Sequence, residues 1–161
     1  MALDIILFHM ALEIEHKYLV VGDSYRRMAV SQRHIRQGYL SRDPERTVRI
    51  RIVDDKGFIT VKGITSGDAR LECEYRIPLE DADSMLKICL PPLIEKRRYI
   101  VPYKGKIWEV DEFQGNQASL VMAEIELESS DEKYELPPFT GENVTGNPEY
   151  YNSNLTVRKV D

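Results

Sequence analysis

The chain has 161 residues, of which 42% are hydrophobic and 30% are charged, and its formal net charge is −5 at pH 7. This length suits one domain with a substantial core. The acidic balance argues against a general nucleic-acid-binding protein, which normally carries a basic excess. The two cysteines, Cys73 and Cys89, lack the paired spacing of a zinc site or a disulfide framework, so we expect a cytoplasmic protein.

The first ten residues are predicted to be a separate segment. Their apolar run, residues 5–8, is too short to span a bilayer, and no basic region precedes it as in a secretory signal. The tripeptide Met-Ala-Leu occurs at residue 1 and again at residue 10, and the regular pattern begins only after the second copy. We therefore predict an N-terminal extension over residues 1–10, a single domain over residues 11–161, and no membrane partner.

Alternating polar and apolar residues predict strands along most of the chain. The first strand follows residue 11 and ends before the turn Gly22-Asp23-Ser24, after which mixed charge and helix-compatible composition predict a short helix over Tyr25–Arg33. The next strands are predicted over residues 35–40, 47–53, 58–63 and 69–79. The turn Asp54-Asp55-Lys56-Gly57 joins the middle two as a hairpin.

A second helix is predicted from Pro78 to Leu90. Proline and acidic residues suit its first turn, an apolar stripe follows, and Pro91-Pro92 is expected to end it. Three further strands are predicted over residues 95–102, 106–113 and 119–129. The tail from residue 135, rich in Pro, Gly, Asn and Tyr, is predicted to form turns and short irregular or helical pieces.

One face of these strands is charged and the opposite face is apolar. Successive side chains in a strand point to opposite faces, so Glu13, Glu15 and Lys17 share one face. The later strands continue this charged face with Arg49, Arg51, Lys62, Arg70, Glu72, Glu74, Arg76, Lys96, Arg98, Glu109, Asp111, Glu124 and Glu126. Many strands with short links favour an antiparallel sheet closed into a barrel. We predict an α+β fold, mainly β, with helices packed outside.

A barrel whose charged faces point inward would be a tunnel lined by both signs of charge. Buried charges must be paired or bound to a metal. Arginine and lysine suit phosphate oxygens, whereas carboxylates bind Mg²⁺ or Mn²⁺, which can bridge to phosphate. The pattern therefore indicates a site for a metal–oligophosphate complex. The alternative is a lattice of salt bridges on a solvated sheet face.

The ordered motifs resemble those of the CYTH superfamily, the triphosphate tunnel metalloenzymes. Glu13-x-Glu15-x-Lys17 is similar to the ExExK signature of that superfamily. The similarity continues with Gln37-Gly38-Tyr39-Leu40, Arg49-x-Arg51, Thr60-Val61-Lys62-Gly63, Arg70-x-Glu72-x-Glu74, Lys96-x-Arg98, Trp108-Glu109-Val110-Asp111-x-Phe113, Ala123-Glu124-x-Glu126, and Val144-Thr145-Gly146-Asn147-Pro148 with Tyr151-Asn152. Single-domain bacterial members with this layout resemble short-chain inorganic triphosphatases.

The resemblance implies an eight-stranded antiparallel tunnel barrel and a role for each charged residue. It implies that triphosphate is bound by Arg49, Arg51, Lys62, Lys96 and Arg98, with Arg70 and Arg76 as further candidates. It implies metal binding by Glu72, Glu74, Glu124 and Glu126, supported by Asp111, and by Glu13 and Glu15 at a second metal that positions and acidifies the attacking water.

Two further residues receive catalytic roles by resemblance. Lys17 would orient the attacking water or the terminal phosphoryl group. Tyr39 matches a tyrosine described as a proton acceptor, although a phenol with an ordinary pKa near ~10 is a poor base at neutral pH.

The function implied is hydrolysis of a triphosphate, most simply inorganic tripolyphosphate, to diphosphate and phosphate with Mg²⁺ or Mn²⁺. A class IV adenylyl cyclase and a thiamine triphosphatase are alternatives, but each needs a pocket for an organic group. We place Trp108 in the core, so it would not serve as a platform on which such a group stacks. A non-catalytic polyphosphate- or nucleotide-binding module is a further alternative, and a homodimer is also considered.

Overall fold

The structure is a computed structural model that describes residues 11–155. Its strands are β1 Leu12–Val20, β2 Ser31–Ser41, β3 Thr47–Val53, β4 Lys56–Lys62, β5 Ala69–Ile77, β6 Leu90–Tyr103, β7 Lys106–Phe113, β8 Val121–Glu126 and β9 Thr140–Asn143. Its α-helices are α1 Ser24–Met28, α2 Leu79–Leu86 and α3 Asn152–Leu155, and 3-10 turns lie at Gly115–Gln117 and Pro148–Tyr150. The predicted extension over residues 1–10 lies outside the described residues.

Eight strands close into an antiparallel barrel in the order β5-β4-β3-β2-β6-β7-β8-β1, and β1 pairs back with β5. β1 closes the barrel because its start, Leu12 to Ile14, pairs with β5, while Glu15 to Leu19 pair with β8 on the other edge. The end of β1 pairs with β9 through Tyr18 and Val20. The predicted closed barrel is therefore confirmed, with one additional strand.

The apolar strand faces point outward and are covered by the rest of the chain. Ile50 and Ile52 of β3 cluster with Ala82 and Leu86 of α2. On the other side of the barrel, Trp108 is fully buried in a larger cluster that includes Tyr18, Tyr25, Val110 and Phe139. Burying each large apolar side chain contributes roughly 1.5–3 kcal/mol. The outer layers thus hold the barrel together and leave the charged faces inside.

One end of the barrel carries an apolar cluster instead of charge. Tyr39, Ile94, Phe113 and Met122 come from inward-facing strand positions and cluster with Leu155 of α3. While α1 and α2 pack outside as predicted, α3 lies at this end of the barrel and places Asn152 next to the interior.

The predicted helix over Tyr25–Arg33 is too long. α1 ends at Met28, and residues 31–33 belong to β2, where Ser31 pairs with Ile100 and Arg33 with Arg98. The local composition suits either state, and the backbone hydrogen bonds offered by β6 decide for a strand.

The second helix and the tail also differ from prediction. α2 ends at Leu86, and Pro91 and Pro92 lie within β6 rather than between elements. β9 was not predicted because Thr-Gly-Glu-Asn shows no alternation, and it forms along the edge that β1 offers. Within residues 11–155, no helix is long and apolar enough to cross a membrane.

Candidate active site

Two adjoining cavities lie inside the barrel. The larger has a volume of about 330 Å³ and the smaller about 60 Å³. Both are lined by Glu15, Arg49, Lys62 and Asn152, which form the boundary between them. The predicted inward face is therefore a real cavity wall.

The predicted residues divide between the two cavities. The larger is also lined by Glu13, Arg51, Glu72, Glu74, Arg98, Glu109, Glu124 and Glu126. The smaller adds Lys17, Tyr39 and Arg70, together with the hydroxyl groups of Thr47, Thr65 and Thr145. Carboxylates thus concentrate in the larger cavity, whereas four cations line each cavity and the smaller one has more neutral polar residues.

Strand register explains how distant residues meet. Arg49 lies opposite Thr60 and Tyr39, and Thr60 lies opposite Glu74, so side chains of four strands converge on one layer. In the same way Glu124 lies between Lys17 and Glu109. Directly opposed residues of an antiparallel pair share a face, which is why the alternation in each strand collects the charges in one interior.

Three predicted site residues lie outside the lining of both cavities. Arg76 is exposed, opposite Phe58 near the end of β5. Lys96 is fully buried and Asp111 is 1% exposed, and they contact each other behind the cavity wall. The structure therefore does not bring Arg76 together with the other cations, and it gives Lys96 and Asp111 a supporting position.

Asp111 holds two cations in place. It accepts hydrogen bonds from Lys96 Nζ at 2.6 Å, Arg98 Nε at 2.7 Å and Arg98 Nη2 at 2.8 Å. Burial alone would raise the pKa of Asp111, but the charges of Arg98 and Lys96 hold it below its usual range. The carboxylate is ionised, and it aims Arg98 towards Glu124, 3.6 Å away in the larger cavity, and towards Glu109.

Two arginines of β3 have unused capacity for an anion. Arg49 Nη2 donates to Thr60 Oγ1 and Glu74 Oε2, both at 3.1 Å, but its buried Nε has no hydrogen-bond partner among the residues that the structure describes. Arg51 Nε donates to Gln37 Oε1 at 3.2 Å. Burial, with Arg49 and Arg98 nearby, lowers the pKa of Arg51 to about 10. An anion between these cations would relieve their repulsion.

The carboxylates of β1 lie where a cation, rather than an anion, would stabilise their charged forms. Burial and the neighbouring Glu124 raise the pKa of Glu15 to about 7. Burial also raises the pKa of Glu13, which lies with Glu72 around Lys62; the Nζ distances are 2.9 Å to Glu13 Oε2 and 2.7 Å to Glu72 Oε2. A cation beside these groups would favour their ionised forms.

Lys17 lies between Glu15 of its own strand and Glu124 of β8. Its Nζ is 3.1 Å from Glu124 Oε1 and 3.7 Å from Glu15 Oε1. Burial alone would lower the pKa of Lys17, but Glu124 and Glu15 raise it above its usual range. The ammonium therefore stays charged and points to the boundary between the cavities.

A family model of the CYTH domain matches residues 11–158. The chain belongs to the CYTH family. An inorganic triphosphatase of Acetivibrio thermocellus is 46% identical over 147 residues, which cover 91% of this chain and 94% of the relative. An inorganic triphosphatase of Nitrosomonas europaea is 30% identical over 149 residues, covering 90% of this chain and 97% of the relative.

A solved structure agrees with these sequence relatives. The crystal structure of an inorganic triphosphatase superposes on this chain with a TM-score of 0.62 and 28% identity, covering 91% of this chain and 95% of the other. The predicted membership of the CYTH family is confirmed, and the family model, over residues 11–158, spans the strands that line both cavities.

The acidic residues of this CYTH barrel fit a hard divalent cation by their donor chemistry. Mg²⁺ and Mn²⁺ prefer carboxylate oxygens, and the raised pKa values of Glu13, Glu15 and Glu126 reflect burial and crowding with other carboxylates. Among residues 11–155, no three acidic, histidine or cysteine side chains form a compact preformed metal cluster. Lysine and arginine side chains form ion pairs with several of these carboxylates.

Sequence reasoning missed several polar residues of the CYTH site. Gln37 is fully buried, accepts from Arg51 and donates to the hydroxyl of Tyr39 at 3.4 Å. Its parity with Tyr39 was a usable signal, as was the parity of Thr60 with Lys62. Asn152 accepts from Lys96 Nζ at 3.2 Å, but it lies in the tail, where no periodic pattern assigns it a face.

Proposed function

We propose that this CYTH protein is a metal-dependent triphosphatase that hydrolyses inorganic tripolyphosphate to diphosphate and phosphate. The observation that carries the proposal is the larger barrel cavity, whose wall brings four arginine and lysine side chains together with seven glutamates. Guanidinium groups fit phosphate oxygens, and the carboxylates fit the cation that accompanies a triphosphate. Both sequence relatives are inorganic triphosphatases, which supports the same substrate class.

The cavity lining favours an inorganic substrate over a nucleotide. In the part of the chain that the structure describes, Ile107 is the one apolar residue lining the larger cavity, so no aromatic platform is found there. Tyr39 and Tyr151 line the smaller cavity, but its volume of about 60 Å³ is far below the roughly 300 Å³ at which ligand pockets usually begin. We therefore rank adenylyl cyclase and thiamine triphosphatase below tripolyphosphatase.

We assign the binding of the triphosphate to Arg49, Arg51, Lys62 and Arg98, with Arg70 at the smaller cavity. These groups neutralise the phosphate oxygens and hold the chain in one orientation, which is most of what phosphoryl transfer requires of a protein. Asp111 fixes Arg98, and Lys96 is fixed with it. In this assignment Lys96 and Asp111 are supports rather than direct contacts, and Arg76 has no assigned role.

We assign cation binding to the two acidic sets, Glu13 with Glu15, and Glu72, Glu74, Glu124 and Glu126. Bound Mg²⁺ or Mn²⁺ would neutralise charge on the phosphate and lower the pKa of a water molecule. Lys17 then orients the terminal phosphoryl group for in-line attack, because its ammonium is held at the boundary of the two cavities by Glu15 and Glu124. Tyr39 is retained as a candidate proton acceptor.

The proposal is tested by measuring phosphate release from inorganic tripolyphosphate with Mg²⁺, with Mn²⁺ and with excess chelator. ATP and thiamine triphosphate are run beside it, and cyclic AMP is assayed separately. We expect metal-dependent release that favours tripolyphosphate. Conversion of ATP to cyclic AMP with inert tripolyphosphate would replace the proposal with a cyclase, and tight binding without turnover would leave a binding module.

Three further expectations belong with this proposal. Because both cysteines are free thiols, we place the protein in a reducing cytoplasm. A homodimer is checked by light scattering of the purified protein. If residues 1–10 are an optional extension, a chain beginning at residue 11 after an initiator methionine should retain the fold and turnover.

A further inference from the structure

A series of hydrogen bonds connects the outer face of β1 to the wall of the smaller cavity. His16 lies between Glu15 and Lys17 but on the opposite face of the strand. Its Nε2 hydrogen-bonds to Asp68 Oδ2 at 2.8 Å, and its Nδ1 to the hydroxyl of Tyr134 at 2.6 Å. The histidine therefore bridges two segments that are far from it in sequence.

Asp68 belongs to the turn that lines the smaller cavity. Its second carboxylate oxygen accepts from Ser130 Oγ at 2.7 Å, and its backbone oxygen accepts from the amide of Glu15 at 3.2 Å. The hydrogen bond from Ser130, supported by that from His16, holds the pKa of Asp68 below its usual range despite partial burial. The turn is closed by two backbone hydrogen bonds between Ser66 and Ala69, at 2.8 and 3.1 Å. Asp68 thus lines the smaller cavity and also contacts β1 and Ser130.

The other side of His16 is anchored on the core. The hydroxyl of Tyr134 hydrogen-bonds to that of Tyr18 at 2.6 Å, and its ring lies 5.6 Å, centroid to centroid, from the fully buried Trp108. The His16 and Tyr134 rings meet edge-on with centroids 5.7 Å apart. Packed aromatic side chains therefore fix one edge of the His16 ring through Tyr134, and the other ring nitrogen binds Asp68.

We propose that His16 is a positioning residue of the active site, which acts by clamping Asp68 and the 66–69 turn against β1. The inference rests on the proposed function, because the residues that it positions are Glu15 and Lys17. Side chains on either side of a strand share one backbone, so a shift of the turn that loosens the Glu15 amide also moves the Glu15 carboxylate. Displacements of about 1 Å in a phosphoryl-transfer site can cost roughly 100-fold in rate.

The test compares His16→Phe with His34→Phe. Phenylalanine keeps the ring packed against Tyr134 and removes both hydrogen bonds. His34 is the matched control, because its Nε2 hydrogen-bonds to Glu95 at 2.6 Å, yet the pair is exposed on another strand and lines neither barrel cavity. Hydrogen–deuterium exchange at the Glu15 amide is measured beside kcat and KM for tripolyphosphate.

For His16→Phe we expect Glu15 amide exchange at least about tenfold faster and kcat about tenfold lower, the effect of losing about 1.4 kcal/mol. KM should change less than about threefold, because the residues assigned to substrate binding lie on other strands. His34→Phe should stay within about twofold of the wild-type protein in every readout. Since His16→Phe could impair folding, Ser130→Ala provides a milder test, with the same direction and a smaller loss, because it removes one of the hydrogen bonds holding Asp68.

Faster exchange with a kcat loss beyond the control, in either test variant, supports the inference. Unchanged exchange at Glu15, or kinetic constants equal to those of His34→Phe, overturns it. If the wild-type protein released no phosphate, the proposed function would fail separately. The same variants would then be judged by exchange at the Glu15 amide alone, where faster exchange in His16→Phe and Ser130→Ala than in His34→Phe supports the clamp and equal exchange overturns it.

Discussion

The Asp111→Asn substitution tests how the barrel holds its buried cations. Asparagine keeps the shape of the side chain but removes the charge that accepts three hydrogen bonds from Lys96 and Arg98. Removing one partner of a buried ion pair costs about 3–5 kcal/mol, because the remaining charges are left buried without their counter-ion. Glu109 and Glu124 lie close to Arg98 and offset part of this, so we expect a loss near the lower limit, about 3 kcal/mol.

The assay is urea unfolding at pH 7 without divalent cations, read from the midpoint and slope of the transition. A loss of about 3 kcal/mol is a large part of the roughly 5–15 kcal/mol that stabilises a typical domain. The control is Asp83→Asn, because Asp83 is only half-buried on α2, with Arg36 at 3.7 Å and Lys87 at 3.4 Å. That variant should change stability by less than about 0.5 kcal/mol. A loss below about 1 kcal/mol for Asp111→Asn would refute the reasoning.

The lowered pKa of Asp111 also predicts how the free energy of unfolding changes with pH. The pKa of Asp111 in the folded protein lies below its ordinary value of 3.8. Its contribution to stability is therefore complete above the unfolded pKa and is lost as the pH falls through the folded pKa. The stability difference between the wild-type protein and Asp111→Asn should stay constant from neutral pH down to the unfolded pKa of 3.8 and should shrink as the pH falls further towards the folded pKa. A difference that stays constant through this lower range as well would mean that another interaction is responsible.

The remaining predictions concern the cavity walls. Glu15→Gln should lower turnover at least about 100-fold with the fold intact. The folded pKa near 7 exceeds the ordinary 4.5, so ionising Glu15 costs stability as the pH rises. At pH 8 in chelator, the free energy of unfolding of the variant should therefore exceed that of the wild-type protein by up to about 3 kcal/mol. Equal free energies would contradict the raised pKa of Glu15. Arg49→Gln should raise KM at least about tenfold, and an unchanged KM would remove it from the binding set. Tyr39→Phe should cost less than about tenfold; a larger loss would make the phenol the proton acceptor.

Alternation in the sequence predicted the strands well where one face is buried. The prediction over residues 47–53 has the bounds of β3, and that over residues 106–113 has the bounds of β7. Two alternate residues of each strand belong to an outer core cluster, Ile50 and Ile52 in β3 and Trp108 and Val110 in β7, so a change of register would bury charge and expose apolar side chains. The same periodicity placed Glu13, Glu15 and Lys17 on the inner face without any knowledge of their partners.

Prediction failed where a segment's state depends on a distant partner. Residues 31–33 are strand because β6 pairs with them, and Pro91 and Pro92 lie within β6 between Leu90 and Ile94, which pair with β2. β9 exists because the end of β1 has a free edge beside it. These pairings produce no periodic pattern in the sequence of the segments that form them, because tertiary pairing can override local secondary-structure propensity.

The sequence by itself determined the alternating strands, the barrel class and the inventory of inward-facing charges, because strand periodicity and the need to bury apolar faces are local properties. Only the tertiary structure decided which charge meets which. It placed Asp111 between Lys96 and Arg98 behind the cavity wall, left Arg76 exposed, and joined His16 to Asp68 across 52 residues. Those contacts depend on the closure of β1 onto β5 and on the stagger of eight strands, which are properties of the whole barrel.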